Sequence, residues 1–410
     1  MAKDINFEKH RNDFPMLKTQ MHGKRLAFLD SAASAQKPQA VIDAMDAVYE
    51  SGYANIHRGL YQVSQKLTAD FEAVRAKVAT FIGAPSEKNI IFTRNATEGI
   101  NLVAQSWGRA NLKAGDEIIL TAMEHHANIV PWQMLRDRTG ITIKIVPFDK
   151  DGVLDLAAFE RMLTHKTRLV SFVHISNALG TINPARKIIE IAKDFYPDMK
   201  VLVDGSQGIV HSPVNMTALD ADFYVFTGHK LYGPTGIGVL YGKEAVLQSM
   251  PPWQGGGDMI ERVSFEETTY RPAPYRFEAG TPPIAEVIGL GAAIDYVSAI
   301  GMNNVAAHES ELLSYGTKKL REIEGLTIHG NAPEKAGILS FTMKGAHPSD
   351  IGTILDQCGV AIRAGHHCCM PLMERLGLDA TARASLGLYS NREDIDQLVE
   401  GLHKVREMFR

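Results

Sequence analysis

Histidine, cysteine and arginine residues crowd into one short segment of this sequence, 360–371, which reads VAIRAGHHCCMP. It contains Cys368 and Cys369, two of only three cysteines in 410 residues. Thiolates and imidazoles bind metal ions, and a thiol with basic neighbours is a nucleophile. The segment therefore suggests a metal site, a reactive thiol, or two small side chains at the edge of a buried strand.

Four consecutive ligands make a poor metal site. Structural zinc sites use spaced pairs of ligands, because consecutive residues cannot wrap one tetrahedral ion without severe backbone strain. A metal-binding module built from His366, His367, Cys368 and Cys369 is therefore kept only as the alternative from a different functional class, and we predict no metal. Adjacent side chains of an extended backbone point to opposite sides, so we expect the two cysteines to have different roles.

Lys230 lies in the segment VFTGHKLYGPTGIGVLYG, directly after a predicted strand and among several glycines. A lysine surrounded by apolar structure has a lowered pKa and becomes an amine nucleophile, as a Schiff base requires. Most lysines lie on the surface, and a surface loop is the simpler interpretation. The glycines favour the first interpretation, because they suggest that the backbone approaches something closely.

Other predicted strands also end in polar side chains. Asp204 ends the run VLVD, with Gln207 three residues later, and a buried carboxylate needs a partner such as a protonated ring nitrogen or an arginine. Thr97 lies at a predicted helix start, which either binds an anion or is simply capped by the threonine. His125 and His126 follow the strand EIILTA, and we expect only one of them to face a cleft.

Short apolar runs alternate with helical patterns through most of the chain. Several runs, including NIIFTR, DEIILTA, TRLVSFVHIS and DFYVFTG, are apolar on both faces, as central parallel strands covered by helices must be. The pattern predicts a three-layer α/β domain with a mainly parallel sheet and right-handed crossovers. Ligands of such sheets bind beyond the carboxyl ends of the strands, where the polar residues above are expected.

The pattern changes after RFEAGTPP. Two long helical stretches are followed by short strands that alternate with helices, and a helical pattern closes the chain. This predicts a smaller α+β C-terminal domain. We place the large domain at residues 22–285 and the small domain at residues 286–410, with the N-terminal segment 1–21 packing on the small domain.

The composition excludes several classes of function. With 45% hydrophobic and 22% charged residues and a net charge of −4, the chain has no basic surface typical of nucleic-acid or anionic-membrane binding. No apolar run reaches the roughly 18 residues of a membrane span, and the charged amino terminus does not resemble a secretory signal. Three cysteines fit a reducing compartment, so we expect a cytoplasmic protein with a small-molecule substrate.

Three kinds of group hold pyridoxal phosphate in a protein. They are a helix start that binds an anion, an acidic partner for the ring nitrogen and an amine at a strand end. A metal site would need three or four convergent soft ligands, and the predicted large domain contains no cysteine. Pyridoxal 5'-phosphate is therefore the predicted cofactor.

The sequence resembles the SUF-type cysteine desulfurases, which are class V aminotransferases within the fold-type I pyridoxal-phosphate enzymes. The resemblance runs almost end to end and is carried by FLDSAASAQKP, TEGINLVA, MEHHANIVPW, VLVDGSQ, TGHKLYGPTGIGVLYG, RFEAGTP and RAGHHCCMP. It implies conversion of L-cysteine to L-alanine, with the sulfur taken up as a persulfide for iron–sulfur cluster assembly. The short stretch that follows GHHC is similar to the SUF-type group, whereas ISC-type enzymes carry their cysteine on a longer loop.

The resemblance also implies roles for individual residues. Lys230 is expected to form the Schiff base with the cofactor, and Cys368 to be the nucleophile and persulfide carrier. The other implied roles are pairing with the ring nitrogen (Asp204), stacking on the ring and catalysis (His125), contact with the phenolic oxygen (Gln207), phosphate binding (Thr97, Thr227, His229 and, from the second subunit, Thr281) and substrate binding (Asn177, Arg363 and Arg383).

Two positions depart from the family pattern. Thr227 stands where serine is more usual, and Cys369 stands where alanine is frequent. We expect Cys369 to be a small buried hydrophobic side chain, the usual role of a free cysteine. Of His366 and His367, one is expected to tune the Cys368 thiol and the other only to pack.

The implied partners are L-cysteine, a small sulfur-acceptor protein of the SUF system and a second copy of the chain, with the active sites at the homodimer interface. The nearest alternative activity is a selenocysteine lyase on the same site. An aminotransferase or a kynureninase-like enzyme fits less well, because neither needs a cysteine opposite the cofactor.

Overall fold

The computed structural model describes residues 6–409. The strands are β1 (Gln20–Met21), β2 (Lys24–Arg25), β3 (Ala27–Phe28), β4 (Ile90–Thr93), β5 (Glu117–Thr121), β6 (Thr142–Val146), β7 (Thr167–Val173), β8 (Lys200–Asp204), β9 (Phe223–Thr227), β10 (Gly238–Gly242), β11 (Ile260–Val263), β12 (Thr268–Tyr270), β13 (Leu326–His329), β14 (Ile338–Met343), β15 (Val360–Ala361), β16 (Arg363–Gly365) and β17 (Thr381–Ser385).

The α-helices are α1 (Phe7–Arg11), α2 (Gln39–Ala47), α3 (Gln62–Phe81), α4 (Ala96–Val103), α5 (Arg109–Asn111), α6 (Val130–Thr139), α7 (Leu156–Met162), α8 (Ala185–Phe195), α9 (Gly208–His211), α10 (Met216–Leu219), α11 (Glu244–Ser249), α12 (Ile284–Ile300), α13 (Met302–Arg321), α14 (Pro348–Gln357), α15 (Met370–Leu376) and α16 (Arg392–Met408). Short 3-10 or π-helical turns cover Pro15–Lys18, Val48–Gly52, Glu87–Asn89, Ala104–Gly108, His126–Asn128 and Tyr275–Phe277.

A seven-stranded sheet in the order β4-β10-β9-β8-β7-β5-β6 forms the centre of the large domain. Strands β6, β5, β7, β8 and β9 run parallel, whereas β10 is antiparallel to both β9 and β4. In β9, Tyr224 and Phe226 face one apolar cluster while Phe223 and Val225 face another. Side chains alternate between the faces of a strand, so helices cover both faces and the predicted three-layer α/β fold is confirmed.

A second, antiparallel sheet in the order β13-β14-β17-β16 forms the smaller α+β unit. Helices α13, α14 and α16 pack around it, and its apolar cluster includes Leu339, Phe341, Leu355 and Leu398. The N-terminal strand β3 joins this unit by pairing in parallel with β15. The predicted α+β C-terminal unit is therefore also confirmed.

The position of the boundary between the two units stays a prediction. The predicted division between 285 and 286 falls inside α12, whose Leu290 and Ile294 are buried in the same cluster as Phe71 of α3. We propose a boundary at Gly301, which has φ +89° and lies where the chain bends by 73° between α12 and α13.

The N-terminal segment touches both units. Of the predicted segment 1–21, residues 1–5 lie outside the described residues. Arg11 forms an ion pair with Asp394 of α16 at 2.8 Å. Phe14 is fully buried in the cluster of the large sheet. Packing of this segment on the small domain alone is thus too narrow a description of residues 6–21.

Among the described helices, no single one is long and apolar enough to cross a membrane. The pair α12 and α13 passes that test in length and composition only when taken together, and the two helices bend by 73° at their junction. Most of α12 is buried against α2 and α3, so it is a core helix of the large domain.

Candidate active site

A pocket opens at the carboxyl ends of β8 and β9, as expected for an open parallel sheet. It brings together predicted site residues that are up to 286 positions apart in the sequence, from Thr97 to Arg383. Ten of the predicted site residues line it, namely Thr97, His125, Asn177, Asp204, Gln207, Thr227, His229, Lys230, Arg363 and Arg383.

Lys230 follows β9 after two residues and lines the pocket as a half-buried side chain. Burial lowers the pKa of its ammonium group, and the negative charge of Asp204 only partly opposes that effect. A lowered pKa increases the fraction of neutral amine, which is the nucleophilic form. The lysine thus has the environment that a Schiff base requires.

The glycines near Lys230 allow the chain to approach itself closely. A Cβ atom on Gly238 would lie 2.5 Å from the backbone of Asn95, and one on Gly228 would lie 2.6 Å from Ile237. These contacts press β10 against the start of α4 and shape the turn that carries Lys230. The close approach predicted from the glycines is therefore between segments of the chain.

Asp204 is buried at the end of β8, with a relative exposure of 3%. Its Oδ1 atom accepts hydrogen bonds from the backbone N–H and the hydroxyl of Ser206, at 3.0 and 2.6 Å. None of the ion pairs among residues 6–409 involves Asp204. A buried carboxylate that meets only neutral donors fits a cationic ligand atom such as a protonated ring nitrogen.

Residues near the start of α4 are suited to bind an anion. The N-cap of this helix is Asn95, whose side chain accepts from the N–H of Glu98, so the expected capping role of Thr97 is wrong. Thr97 lies inside the first turn and lines the pocket. Thr227 is buried there too, and in the described part of the chain its hydroxyl has no hydrogen-bond partner. An unpartnered buried hydroxyl beside a helix start fits a phosphate.

His125 faces the pocket, whereas His126 points towards the segment around Cys368. The Nδ1 atom of His125 accepts from the N–H of Ala127 at 3.1 Å. Its proton therefore lies on Nε2 when the ring is neutral. Burial and, secondarily, Lys230 lower the pKa of His125 to about 4, so the ring is neutral at physiological pH and available for stacking.

Two hydrogen bonds within the protein fix the side chain of Gln207. Its Nε2 donates to the carbonyl of Ala32 at 2.8 Å, and its Oε1 accepts from Nε2 of His211 at 3.0 Å. His211 in turn pairs with buried Glu309 of α13 at 2.6 Å. The carbonyl of Ala32 can only accept, so the amide orientation is fixed and the second Nε2 hydrogen is left for the pocket.

The two arginines of the pocket differ in their partners. Arg383 is fully buried and donates to the carbonyl of Asn177 at 2.8 Å and to Asp30 at 2.9 Å. Arg363 is half-buried and forms none of the ion pairs found among residues 6–409, and its Nη2 lies 3.5 Å from Sγ of Cys368. Arg363 is thus free to bind a carboxylate, whereas Arg383 mainly holds the pocket wall.

Residues 366–369 form a tight turn that we call the cysteine loop. His367 and Cys368 have φ values of +54° and +58°, so the extended backbone assumed above is wrong. The carbonyl of Cys368 accepts from the N–H of His126 at 2.8 Å, and that of His367 accepts from Nδ2 of Asn177 at 2.8 Å. The loop is therefore fastened to the large sheet's side of the pocket.

The four side chains of the cysteine loop diverge. Those of His367 and Cys369 are buried, and those of His366 and Cys368 are half-exposed. Their partners are the N–H of Cys368 for His366, the hydroxyl of Thr381 for His367, Arg363 for Cys368 and Oδ1 of Asn177 for Cys369. Among the described residues, no group of three or more histidine, cysteine or acidic side chains is placed to hold a metal ion.

Comparison with known proteins shows the family of this chain. The family model for class V aminotransferases matches residues 27–398. The chain belongs to the class V aminotransferase family. Family membership confirms pyridoxal phosphate as the cofactor, in agreement with the fit of Asp204, Thr227 and Lys230 described above.

Several class V aminotransferases resemble the whole chain. A cysteine desulfurase of Escherichia coli O127:H6 is 50% identical over 405 residues, which are 98% of this chain and 99% of the relative. The structure of the Escherichia coli cysteine desulfurase CsdA, in its S-sulfonic acid form, is 39% identical with a TM-score of 0.93. The apo structure of a cysteine desulfurase from Thermococcus onnurineus NA1 is 37% identical with a TM-score of 0.94. Both structures match over 100% of each chain.

Thr281, the remaining phosphate residue predicted for this class V aminotransferase, does not line the pocket. It is exposed and follows Gly280, whose φ of +83° turns the chain outward. Its predicted contribution from a second subunit stays a prediction, as do the roles of the other site residues.

Sequence reasoning missed several residues of the site. Asn95 and Ser206 line the pocket, as do Ala32 and Ala33. An asparagine directly before a helical pattern is a recognised capping signal and could have identified Asn95. The small residues of SAASA carried no such signal, because their approach to the pocket depends on the packing of a distant segment.

Proposed function

We propose that this protein is a cysteine desulfurase of the SUF type, which converts L-cysteine to L-alanine and takes up the sulfur on Cys368 as a persulfide. The single observation that carries the proposal is the half-exposed thiol of Cys368, which does not itself line the pocket but lies 3.5 Å from Arg363, a residue that lines it together with Lys230. A transaminase needs no thiol there. Relatives named cysteine desulfurase, 50% identical over nearly the whole chain, support the activity.

Substrate binding falls to Arg363 and Asn177. A guanidinium group without an internal carboxylate partner can accept the substrate carboxylate in a bidentate pair. Asn177 uses one Nδ2 hydrogen for the carbonyl of His367 and has a second one for the same carboxylate. Both side chains line the pocket, so the carboxylate is held on the side of the cysteine loop and the substrate sulfur is directed towards Cys368.

Proton transfer falls to Lys230. When bound, pyridoxal phosphate withdraws electrons from the substrate and so weakens the bonds at its Cα and Cβ atoms. The lowered pKa of Lys230 favours the neutral amine, which can remove the Cα proton and return a proton later. Asp204 would pair with the ring nitrogen of the bound cofactor through Oδ2, since its internal hydrogen bonds reach only Oδ1.

Sulfur transfer falls to Cys368. Its thiolate attacks the substrate sulfur, so that a bond between two sulfur atoms forms and the Cβ–S bond breaks, with the electron pair left on the substrate carbon skeleton. After proton uptake that skeleton leaves as alanine. The Nη2 atom of Arg363 lies 3.5 Å from Sγ of Cys368, so the group that binds the substrate carboxylate also lies beside the nucleophile.

The proposal extends to the setting of the enzyme. We propose a cytoplasmic homodimer that passes sulfur to a small acceptor protein of the SUF system for iron–sulfur cluster assembly. The shortness of the stretch between β16 and α15, residues 366–369, supports the SUF type. Exposed apolar side chains such as Leu60 and Phe265, and the exposed Thr281, support a second subunit. A mass measurement by analytical ultracentrifugation tests the dimer.

The decisive experiment is Cys368→Ala in the holoenzyme. The variant is expected to keep the absorbance of the bound cofactor and its change on adding L-cysteine, but to lose persulfide formation and alanine release. Cys369→Ala is the matched control and is expected to keep both reactions. If Cys368→Ala releases alanine from L-cysteine at the normal rate, the nucleophile is wrong. Activity retained by the same variant on selenocysteine would instead favour a selenocysteine lyase.

A further inference from the structure

We propose that Lys37 and Ser34 form a cationic support behind His229, which positions that imidazole and strengthens binding of the cofactor's phosphate. The inference rests on the proposed function only in taking pyridoxal phosphate as the ligand of the pocket. Three observations lead to it, namely the partners of Lys37, the contact between Ser34 and His229, and the neutral side chains expected around the phosphate.

Lys37 is a half-buried cation that meets only neutral oxygen atoms. Its Nζ donates to the carbonyl of Ala35, lies 3.1 Å from the carbonyl of His229 and lies 3.4 Å from the hydroxyl of Ser34. No ion pair among residues 6–409 includes it, and burial lowers the pKa of its ammonium group to about 8. A buried charge is costly unless an opposite charge compensates it, so the site is incomplete without an anion.

Ser34 links this cation to His229. Its hydroxyl oxygen lies 3.1 Å from Nδ1 of His229. The same hydroxyl lies 3.3 Å from the carbonyl of His229, so Ser34 contacts both the ring and the backbone of that residue. Burial, with smaller effects of Lys230 and Lys37, lowers the pKa of His229 to about 4, so the ring is neutral and offers one N–H.

The pocket side of this arrangement is where phosphate is expected. His229 lines the pocket together with Thr97 and Thr227, and all three side chains are neutral. A phosphate dianion there needs a cation, and Lys37 supplies one directly behind His229. The backbone also connects the parts, because the N–H of Ala35 donates to the carbonyl of His229 at 3.1 Å.

Comparing two ligands tests the inference. The full chain is freed of cofactor by dialysis and titrated with pyridoxal phosphate and with pyridoxal, which lacks the phosphate, while the absorbance of the bound chromophore is followed. Lys37→Met removes the charge at similar length. It is expected to raise the dissociation constant of pyridoxal phosphate by about tenfold or more, equivalent to about 1.4 kcal/mol, and that of pyridoxal by less than about twofold.

Two further variants separate charge from hydrogen bonding. Lys37→Arg keeps the charge and is expected to bind pyridoxal phosphate within about threefold of the wild-type affinity. Ser34→Ala removes the hydroxyl that contacts the His229 ring and is expected to weaken binding of pyridoxal phosphate by about threefold to tenfold, a loss of roughly 1 kcal/mol for one hydrogen bond, again without affecting the binding of pyridoxal.

The inference is overturned if Lys37→Met weakens the binding of both ligands equally, which would indicate a general role in shaping the pocket. It is also overturned if the variant weakens the binding of neither ligand. It is also overturned if Lys37→Arg loses as much affinity as Lys37→Met. Binding of pyridoxal by each variant shows that the pocket has folded. If the wild-type chain binds neither ligand at Lys230, the proposed function fails instead, so the two failures are distinguishable.

Discussion

Replacing Cys369 by alanine tests the most unusual contact of the site. The Sγ atom of Cys369 donates to Oδ1 of Asn177 at 3.2 Å, and Nδ2 of the same amide donates to the carbonyl of His367 at 2.8 Å. Burial raises the pKa of the Cys369 thiol to about 12, so the group remains a protonated donor. The His367 carbonyl and the Cys369 thiol together hold both ends of the Asn177 amide against the cysteine loop.

The cost of Cys369→Ala has two parts. Losing the donor leaves Oδ1 of Asn177 buried without a partner, which costs about 1–3 kcal/mol. Removing the buried sulfur adds a transfer loss of about 0.8 kcal/mol, similar to that of one methylene group. We therefore expect the free energy of unfolding to fall by about 2–4 kcal/mol. Cys369→Ser also removes the sulfur but keeps a donor, and is expected to lose about 1 kcal/mol less.

The assay is urea unfolding of the holoenzymes, together with steady-state kinetics for L-cysteine. A loosened Asn177 amide binds the substrate carboxylate less well, so Cys369→Ala is expected to raise KM about threefold to tenfold, or roughly 1 kcal/mol, with little change in kcat. The serine variant should restore most of the affinity. Equal stability and equal KM in the alanine and serine variants would refute the reasoning, because only the hydrogen-bond donor separates them.

Two other predictions concern neighbouring groups. Arg363→Lys keeps the charge but loses the bidentate geometry, so KM for L-cysteine should rise about tenfold or more, and an unchanged KM would remove Arg363 from substrate binding. His367 has its pKa lowered to about 3 by burial and the nearby arginines, so the unfolded chain takes up a proton below its ordinary value of 6.5 while the folded chain does not. Stability from this group is complete above pH 6.5 and falls as the pH falls, so the wild type should lose about 2 kcal/mol more than His367→Asn between pH 7 and pH 5. Equal losses in urea unfolding would contradict the assignment of a neutral His367.

The sequence predicted the residues of the site better than their contacts. Strands buried on both faces leave a clear pattern, and polar side chains such as Asp204 and Lys230 directly follow those strands. Because parallel strands end at the same edge of a sheet, their shared location follows from topology alone. Asn177, Arg363 and Arg383 were assigned from the family resemblance instead, and the two arginines reach the pocket from β16 and β17 of the smaller unit.

Contacts between distant segments were not predictable in this way. The pairing of Cys369 with Asn177 joins residues 192 positions apart, and Ser34 meets His229 across 195 positions. The sequence spacing of such pairs follows no regular period, and each contact depends on how distant parts of the fold pack against each other. The assumption of an extended backbone at Cys368 failed for a related reason, since a non-glycine residue adopts positive φ only where its surroundings require it.

The left-handed backbone conformation of the cysteine loop is costly on its own and therefore depends on contacts with the large domain. Each non-glycine residue in this conformation costs roughly 1–2 kcal/mol, and the loop has two in succession, His367 and Cys368. The carbonyls of both residues accept hydrogen bonds from the large domain, from Asn177 and from the N–H of His126. Each bond contributes about 1 kcal/mol, which offsets much of the strain. The large domain, which also contains Lys230, therefore maintains the conformation that places the Cys368 thiol beside Arg363. The nucleophile and the amine are thus positioned by the same domain.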